Sequence, residues 1–298
     1  MKASVIIAAR NAENWLEEQL DALAGQTFDG QFEVIVCDNG STDRTRDIVL
    51  DRQQTFPAPL HCVDAAGHPG PGYARNVGVR HAQGEVLAFC DADDVVAPDW
   101  LAALVTASAT NDVTAGRCDT ALLNPHWTRV ARPVSDGIGQ SSYLPFVGGG
   151  NLAMKKEIFQ AVGGFDADQV FQEDVDLSWR LQRAGYRLSY EPAAVINLRL
   201  RQSIAGIFRQ GLEYGRGLAE LEARYEVSAE PDHSDSDPRP SGARLLTLAR
   251  LAKPLLRHPG RGALGQLLWQ LGWHVGHRTP GARLSPQHEA ARLPAEER

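Results

Sequence analysis

From Met1 to about Tyr225 the chain alternates short apolar runs with amphipathic stretches, and this alternation constrains the fold more than any other feature. Ser4 to Ala9, Phe32 to Cys37, Leu60 to Val63 and Val86 to Cys90 are each too short for a stable helix and almost wholly apolar. Such runs belong in strands that crossover helices bury on both faces. The stretches between them carry helical spacing: Leu16, Leu20 and Leu23 after Asn11, and Ile48 and Val49 after Ser41 and Thr42, with these polar residues as expected caps. The pattern predicts an α/β fold with a mostly parallel central sheet flanked by helices.

Beyond Trp100 the alternation loosens until Gly148, Gly149 and Gly150 lead from Asn151 into a short strand through Met154. A helix is predicted from near Asp174, with Leu177, Leu181 and Ala184 on one face and Gly185 to end it. Residues 226–242 turn to Ser, Pro, Asp and Glu and read as a flexible linker. Three parts are expected: a catalytic domain over 1–225, that linker, and a basic, Leu/Arg-rich helical tail over 243–298, broken into short pieces by Pro and Gly.

Composition excludes several classes. The net charge of -7 offers no field for a nucleic-acid partner. Cys37, Cys62, Cys90 and Cys118 lack the paired spacing of a zinc site and read as reduced core residues. Arg10 ends the first apolar run too early for a signal peptide, and no stretch approaches the roughly 20 apolar residues of a spanning helix. A cytoplasmic location is expected. In the tail, Arg244, Arg250 and Lys253 interleave with leucines and no acid intervenes. Such a segment can rest on an anionic membrane at its inner face, dock on the catalytic domain or pair with a second subunit.

The chemistry gathers at strand ends. Ligands of open α/β sheets bind beyond the carboxyl ends of the strands, where Arg10, Asp38 and Asp91 all fall. Asp91 and Asp93 flank the small Ala92, so both carboxylates can turn to one magnesium or manganese ion together with diphosphate oxygens. Alone, the cluster Asp91 to Asp94 can equally cap a helix. Gly70 to Asn76 form a glycine-containing turn into a helix, where free N–H groups and Arg75 can face phosphate or simply open a structural helix. Glu173, Asp174 and Asp176 form a second acidic group at a helix start, as a general base or as dipole partners.

In order along the chain, Ser4 to Asn11, D-N-G-S-T-D at Asp38 to Asp43, A-R-N-V-G at Ala74 to Gly78, Asp91 to Asp94, G-G-N-L-A at Gly149 to Ala153, G-G-F-D at Gly163 to Asp166 and E-D-V-D-L at Glu173 to Leu177 resemble the inverting family 2 glycosyltransferases of the GT-A fold. The resemblance covers most of Lys2 to Gly217. It implies a Rossmann-like nucleotide-sugar-binding domain and a nucleoside-diphosphate sugar donor, a UDP-sugar foremost. By position, Ala8, Arg10, Asp38 and Arg75 would surround nucleobase and ribose, with Ala92, Gly150 and Asn151 also on the donor. Asp91 would meet the ribose or the metal, Asp93 would bind Mn2+ or Mg2+, and Asp174 would be the base. Glu173, Asp176 and Trp127 would serve the acceptor or support the site. His126 and Tyr143, like Trp127, offer rings on which a sugar can stack.

The chain departs from the family at Ala8 and Ala9, where Pro and Tyr are frequent, and at Asn197, in a stretch where a further metal-binding histidine is common. Arg199, Arg201 and Arg209 are expected to help neutralise the diphosphate instead. The Q-x-x-R-W motif of processive synthases is missing, which points to transfer of a single sugar in cell-surface glycan, glycolipid or secondary-metabolite glycosylation. Two rivals stand beside this. A sugar nucleotidyltransferase would carry a G-G-x-G-T-R-like loop where Ala9 to Ala12 stand, and a non-catalytic nucleotide-sugar-binding module would have no need of Asp174. The acceptor is not legible.

Overall fold

A computed structural model describes residues 2–132, 134–227 and 260–279. Its elements in chain order are β1 (Ala3–Ala9), α1 (Leu16–Ala24), β2 (Phe32–Asp38), α2 (Thr45–Arg52), β3 (Leu60–Asp64), α3 (Pro71–His81), β4 (Val86–Asp91), β5 (Val95–Val96) and α4 (Trp100–Ala107). There follow β6 (Val113–Asp119), α5 (His126–Ala131), β7 (Ile138–Gly139), β8 (Phe146–Val147), β9 (Asn151–Lys155) and α6 (Lys156–Ala161). The last are α7 (Glu173–Arg183), β10 (Leu188–Asn197), α8 (Ile204–Arg224) and α9 (Arg261–Arg278).

Eight strands form one sheet in the order β3-β2-β1-β4-β9-β6-β10-β5. β1 to β4 run parallel, β10 joins β6 in parallel, and β9 runs against both β4 and β6. The expected mostly parallel α/β sheet is therefore present. Successive residues of β1 feed opposite layers: Val5 and Ile7 pack with Leu16, Leu20 and Trp100, whereas Ile6 packs with Ala74, Val77 and Leu177. Both faces are thus sealed around β1, which leaves the strand ends as the place for a ligand of such a sheet.

Two expected caps are corrected. Asn11 does not begin α1, which starts at Leu16; it adopts φ 52 and its Oδ1 accepts the Thr42 N–H at 2.8 Å. Ser41 and Thr42 do not cap α2 either. Asp43 accepts from the Thr45 N–H at 3.0 Å, while Ser41 Oγ accepts from the Asn11 N–H at 3.0 Å. The polar residues after β1 and β2 therefore hold the two loops to each other. Gly185 does stand just past α7, with φ 91.

The loosely patterned stretch beyond Trp100 contains α4, β6 and α5. α7 is held on two sides, with Leu177 and Leu181 in the sheet core and Val175 and Trp179 against Leu221 of α8. The tail's glycines do not break it between Arg261 and Arg278, where α9 is one helix of 18 residues packed on α8 and α5. Of the expected linker and tail, residues 228–259 and 280–298 lie outside the described residues. No helix among those described is long and apolar enough to cross a membrane.

Candidate active site

The site lies where β1 and β4 end side by side. Register pairs Ala8 with Asp91 and Ala9 with Asp38, so one row of strand ends carries both acids. β9 adds a third contribution because it runs backwards. Cys90 pairs with Asn151, which sets the Gly148–Gly150 turn beside Asp91. Two of its glycines approach the site closely: a Cβ at Gly149 would stand 2.8 Å from Arg75 Nη1, and one at Gly150 would stand 2.5 Å from Asp91 Oδ2.

Arg75 ties the site together. It comes from α3, is 3% exposed, and donates from Nη2 to Asp91 Oδ1 at 2.6 Å and from Nη1 to Glu173 Oε1 at 2.8 Å. One guanidinium thus joins the end of β4 to the start of α7. The expectation that Arg75 lines the nucleotide is corrected, because its forked donors face two carboxylates and it is buried between them. Its charge is held on more firmly than usual: burial opposes it, but Asp91 and Glu173 outweigh that cost.

Asp174 lies one residue on, with Oδ2 accepting the Gly149 N–H at 3.0 Å and Oδ1 the Val175 N–H at 2.9 Å. Burial raises its pKa, while the Gly149 N–H and Arg75 pull it back down. Glu173 is pushed up to about 7, first by burial and then by the Asp174 charge, with Arg75 opposing. The backbone aims these residues: Gln172, just ahead of α7, sits in the left-handed region at φ 64, a strained setting for a non-glycine residue.

Asp176 faces the other way. It is 1% exposed, accepts from Arg180 Nε at 2.8 Å and from the Tyr225 hydroxyl at 2.7 Å, and so fastens α7 to the end of α8. Of the two roles expected for it, acceptor contact or support, these contacts are those of support.

The β4 acids divide in the same manner. Asp94 is 2% exposed and its Oδ1 accepts the Arg199 N–H at 2.7 Å. Burial, then Asp93 and Asp91, raise its pKa well above the carboxylate range. Asp93 is half-buried, and no side-chain cation lies within ion-pair distance of it among the described residues. Its pKa is also raised, by burial and then by Asp91, with Arg201 and Arg199 opposing. Arg199 spends its guanidinium on protein groups. Its Nε donates to the Asp93 carbonyl at 2.9 Å and its Nη2 to Glu18 at 2.7 Å, which braces the acidic turn. Arg201 and Arg209 are exposed.

Other expected contacts are redistributed. Arg10 is exposed at the end of β1, and Asp38 is 7% exposed with Oδ1 accepting the Ser41 N–H at 2.9 Å. Ala92 turns its methyl into the core. Asn151 is corrected to a structural lock: Oδ1 accepts from Trp100 Nε1 at 2.8 Å and Nδ2 donates to the Arg117 carbonyl at 2.9 Å. One face of the Trp127 ring carries the Arg261 guanidinium, 3.9 Å from its centroid, so that face is closed to a sugar. Tyr143 is 43% exposed, edge-on to Trp179 at 5.2 Å. Asn197 donates to the Val95 carbonyl at 3.0 Å and serves the sheet.

Two residues missed in the sequence hold the loops that frame the site. Asn39 donates to the Ala65 and His68 carbonyls at 2.6 and 2.8 Å and accepts the Gly70 N–H at 2.9 Å, which fixes the entrance to α3. Gln19 donates to the Asp91 carbonyl at 3.0 Å and accepts the Val96 N–H at 3.1 Å, so it spans the acidic turn. Only the strand-to-acid switch beside Asn39 could have flagged it; Gln19 carries no signal within an amphipathic helix.

The arrangement suits a hard divalent cation. Asp91 keeps Oδ2 clear of its Arg75 contact, Asp93 is unpaired as described, and magnesium or manganese with phosphate oxygens needs only one or two carboxylates. No group of three or more His, Cys, Asp or Glu that could hold a metal occurs among the described residues. A ligated ion here would therefore draw on the donor's oxygens.

Comparison with known proteins agrees with this geometry. Residues 4–163 match the family model described as Glycosyl transferase family 2, and residues 86–276 match Glycosyl transferase family group 2. A glycosyltransferase of Nostoc sp. is 38% identical over 113 residues, 38% of this chain and 34% of its own length. The pre-mycofactocin glycosyltransferase of Mycobacterium tuberculosis is 29% identical over 243 residues, 76% of this chain and 49% of its own. The chain thus spans about a third to a half of these curated relatives. Among solved structures, the mannosyltransferase PcManGT from Pyrobaculum calidifontis, in complex with GDP-Man and Mn2+, aligns with a TM-score of 0.63 at 22% identity, over 92% of this chain and 86% of its own. A GT-A sheet, with an acidic strand end joined through one arginine to an acidic helix start, and a family match over more than half its length, place this chain in glycosyl transferase family 2.

Proposed function

We propose that the chain is an inverting, non-processive glycosyltransferase that moves one sugar from a nucleoside-diphosphate sugar to an acceptor hydroxyl. One observation carries the reading: Arg75 joins Asp91 to Glu173, the neighbour of Asp174, so an acid suited to the donor diphosphate and the acid suited to the acceptor proton are held close together. The donor side is assigned to Asp38, Arg10, the backbone beside Ala8 and Ala92, and the Gly149–Gly150 turn. Asp91 Oδ2 and Asp93 would hold Mn2+ or Mg2+, which when bound supplies positive charge to the leaving diphosphate.

Asp174 is assigned as the base. The acceptor oxygen attacks the anomeric carbon as the bond from that carbon to the diphosphate oxygen breaks, its electron pair leaves with the diphosphate, and the acceptor proton passes to Asp174. Attack from the face opposite the leaving group inverts the centre. Burial makes Asp174 more basic than a free carboxylate, as a base requires, and its two backbone N–H contacts fix its direction. Domain 1–225 would carry all of these groups.

A thermal-shift panel of nucleotide sugars, UDP-sugars first, with and without manganese, tests the donor side. Manganese-dependent stabilisation by one donor is expected, and Asp93→Asn should remove the manganese dependence. No stabilisation by any donor would overturn the assignment.

A further inference from the structure

The two sides of α9 differ in chemistry. Toward α8 the helices meet backbone to backbone. Gly211 and Gly215 lie against the Trp269 and Trp273 carbonyls, and Gly272 and Gly276 against those of Phe208 and Leu212, with no room for a Cβ at any of the four. Gly262 and Gly265 abut Val130 and Ala131 of α5 in the same way. With its small residues inward, α9 turns out Leu264, Leu267, Leu268, Leu271 and Val275, spaced by three and four residues along one stripe.

That stripe is not covered. Leu264 and Val275 are 39% and 47% exposed, and the three leucines between them are only half-buried. Val130, on the neighbouring α5, is 37% exposed. A helix facing water alone would place charged residues at these positions.

Charge identifies what the stripe meets. The whole chain is acidic, at -7, yet no Asp or Glu occurs from Pro238 to His288, a stretch that holds α9 and eight Arg and Lys residues. Arg261 and Arg278 mark the ends of the helix and are exposed. An anionic surface would repel the rest of the molecule and attract this part of it. Apolar residues along one side, cations at the ends and a length of roughly 27 Å for 18 residues match a helix lying in the headgroup boundary of a bilayer.

We propose that the outward face of α9 docks on an anionic lipid surface. The inference rests on the outward face of α9 and on the charge of the sequence that holds it, so it stands or falls apart from the donor and base assignments.

The test is co-sedimentation of the full chain with vesicles of phosphatidylcholine and with equimolar phosphatidylcholine and phosphatidylglycerol. Retention is expected on the anionic vesicles only, weakening as salt rises. The double variant Leu264→Glu/Val275→Glu, at exposed positions, should melt at the wild-type temperature and lose about tenfold or more of that retention. Arg278→Glu should lower retention at low salt, and it decides the matter if the double variant fails to fold. Absence of retention, equal retention of the variants, or a wild-type dimer that the double variant splits would overturn the proposal, the last by assigning the stripe to a second copy.

Discussion

The two acidic groups, Asp91–Asp94 at the end of β4 and Glu173–Asp176 at the start of α7, look alike in the sequence and are built alike in the fold. Each gives its first acid to Arg75. Each leaves one carboxylate half-buried and without a side-chain ion pair among the described residues, Asp93 or Asp174, and commits one to the scaffold, Asp94 on the Arg199 backbone or Asp176 on Arg180 and Tyr225. They differ in how the committed acid is held. Asp176 has charged and hydroxyl partners, whereas Asp94 is buried beside two other acids that oppose its charge and raise its pKa. Proximity to the site therefore does not make an acid functional; what its two oxygens touch decides.

The sharpest test of this division swaps cleft acid for scaffold acid within α7. Asp174→Asn should cut transfer by about 10²–10⁴-fold in steady-state assays while donor-dependent thermal stabilisation persists. Asp176→Asn should leave transfer per folded molecule near normal and lower the melting temperature, since it breaks a buried ion pair worth about 3–5 kcal/mol to disrupt. The reverse pattern would exchange their roles.

Arg75→Ala attacks what the two groups share. It strands Asp91 and Glu173 without their common cation, at a cost of about 3–5 kcal/mol in denaturant unfolding. Arg75→Lys should recover part of that stability but not the two-way grip, because an ammonium lacks the planar fork.

Glu173 gives a pH signature. Its pKa is raised from 4.5 to about 7 in the fold, so it favours the folded state when protonated. That contribution is complete below the unfolded pKa and is lost as pH rises through about 7. Glu173→Gln should flatten this part of the stability profile in melting curves taken from pH 4.5 to 7.

The smallest effect is expected at Asp94. An amide keeps the shape and the oxygen that accepts the Arg199 N–H while removing a charge that burial and two neighbouring acids oppose, so Asp94→Asn should alter stability by no more than about 1 kcal/mol and leave manganese-dependent donor binding intact. A large loss of either would make Asp94, not Asp93, the acid to reckon with.

Much of this was legible. The jump from Val86–Cys90 to Asp91 marked both a buried strand and its functional end, and helical spacing placed α7 with Asp174 in its first turn. Sequence could not apportion the acids, since burial of Asp94 and Asp176 depends on Arg199 and Tyr225 arriving from elsewhere. Nor could it show that Arg75 meets Glu173, 98 positions away, rather than a phosphate. In the tail the glycines misled. Each costs about 1 kcal/mol in an isolated helix, but at Gly272 and Gly276 that cost is offset by close packing on α8.

The reversal of β9 has a consequence for how such a site can vary. Because β9 hydrogen-bonds against β4, with Asn151 opposite Cys90, the glycine turn is indexed to Asp91 by the sheet and not by the length of chain between them. Residues 120–146 leave and return to a fixed frame. Outside α5, on which α9 packs, segments there can lengthen, shorten or be exchanged while the carboxylates keep their spacing, so this excursion can vary without moving the acids.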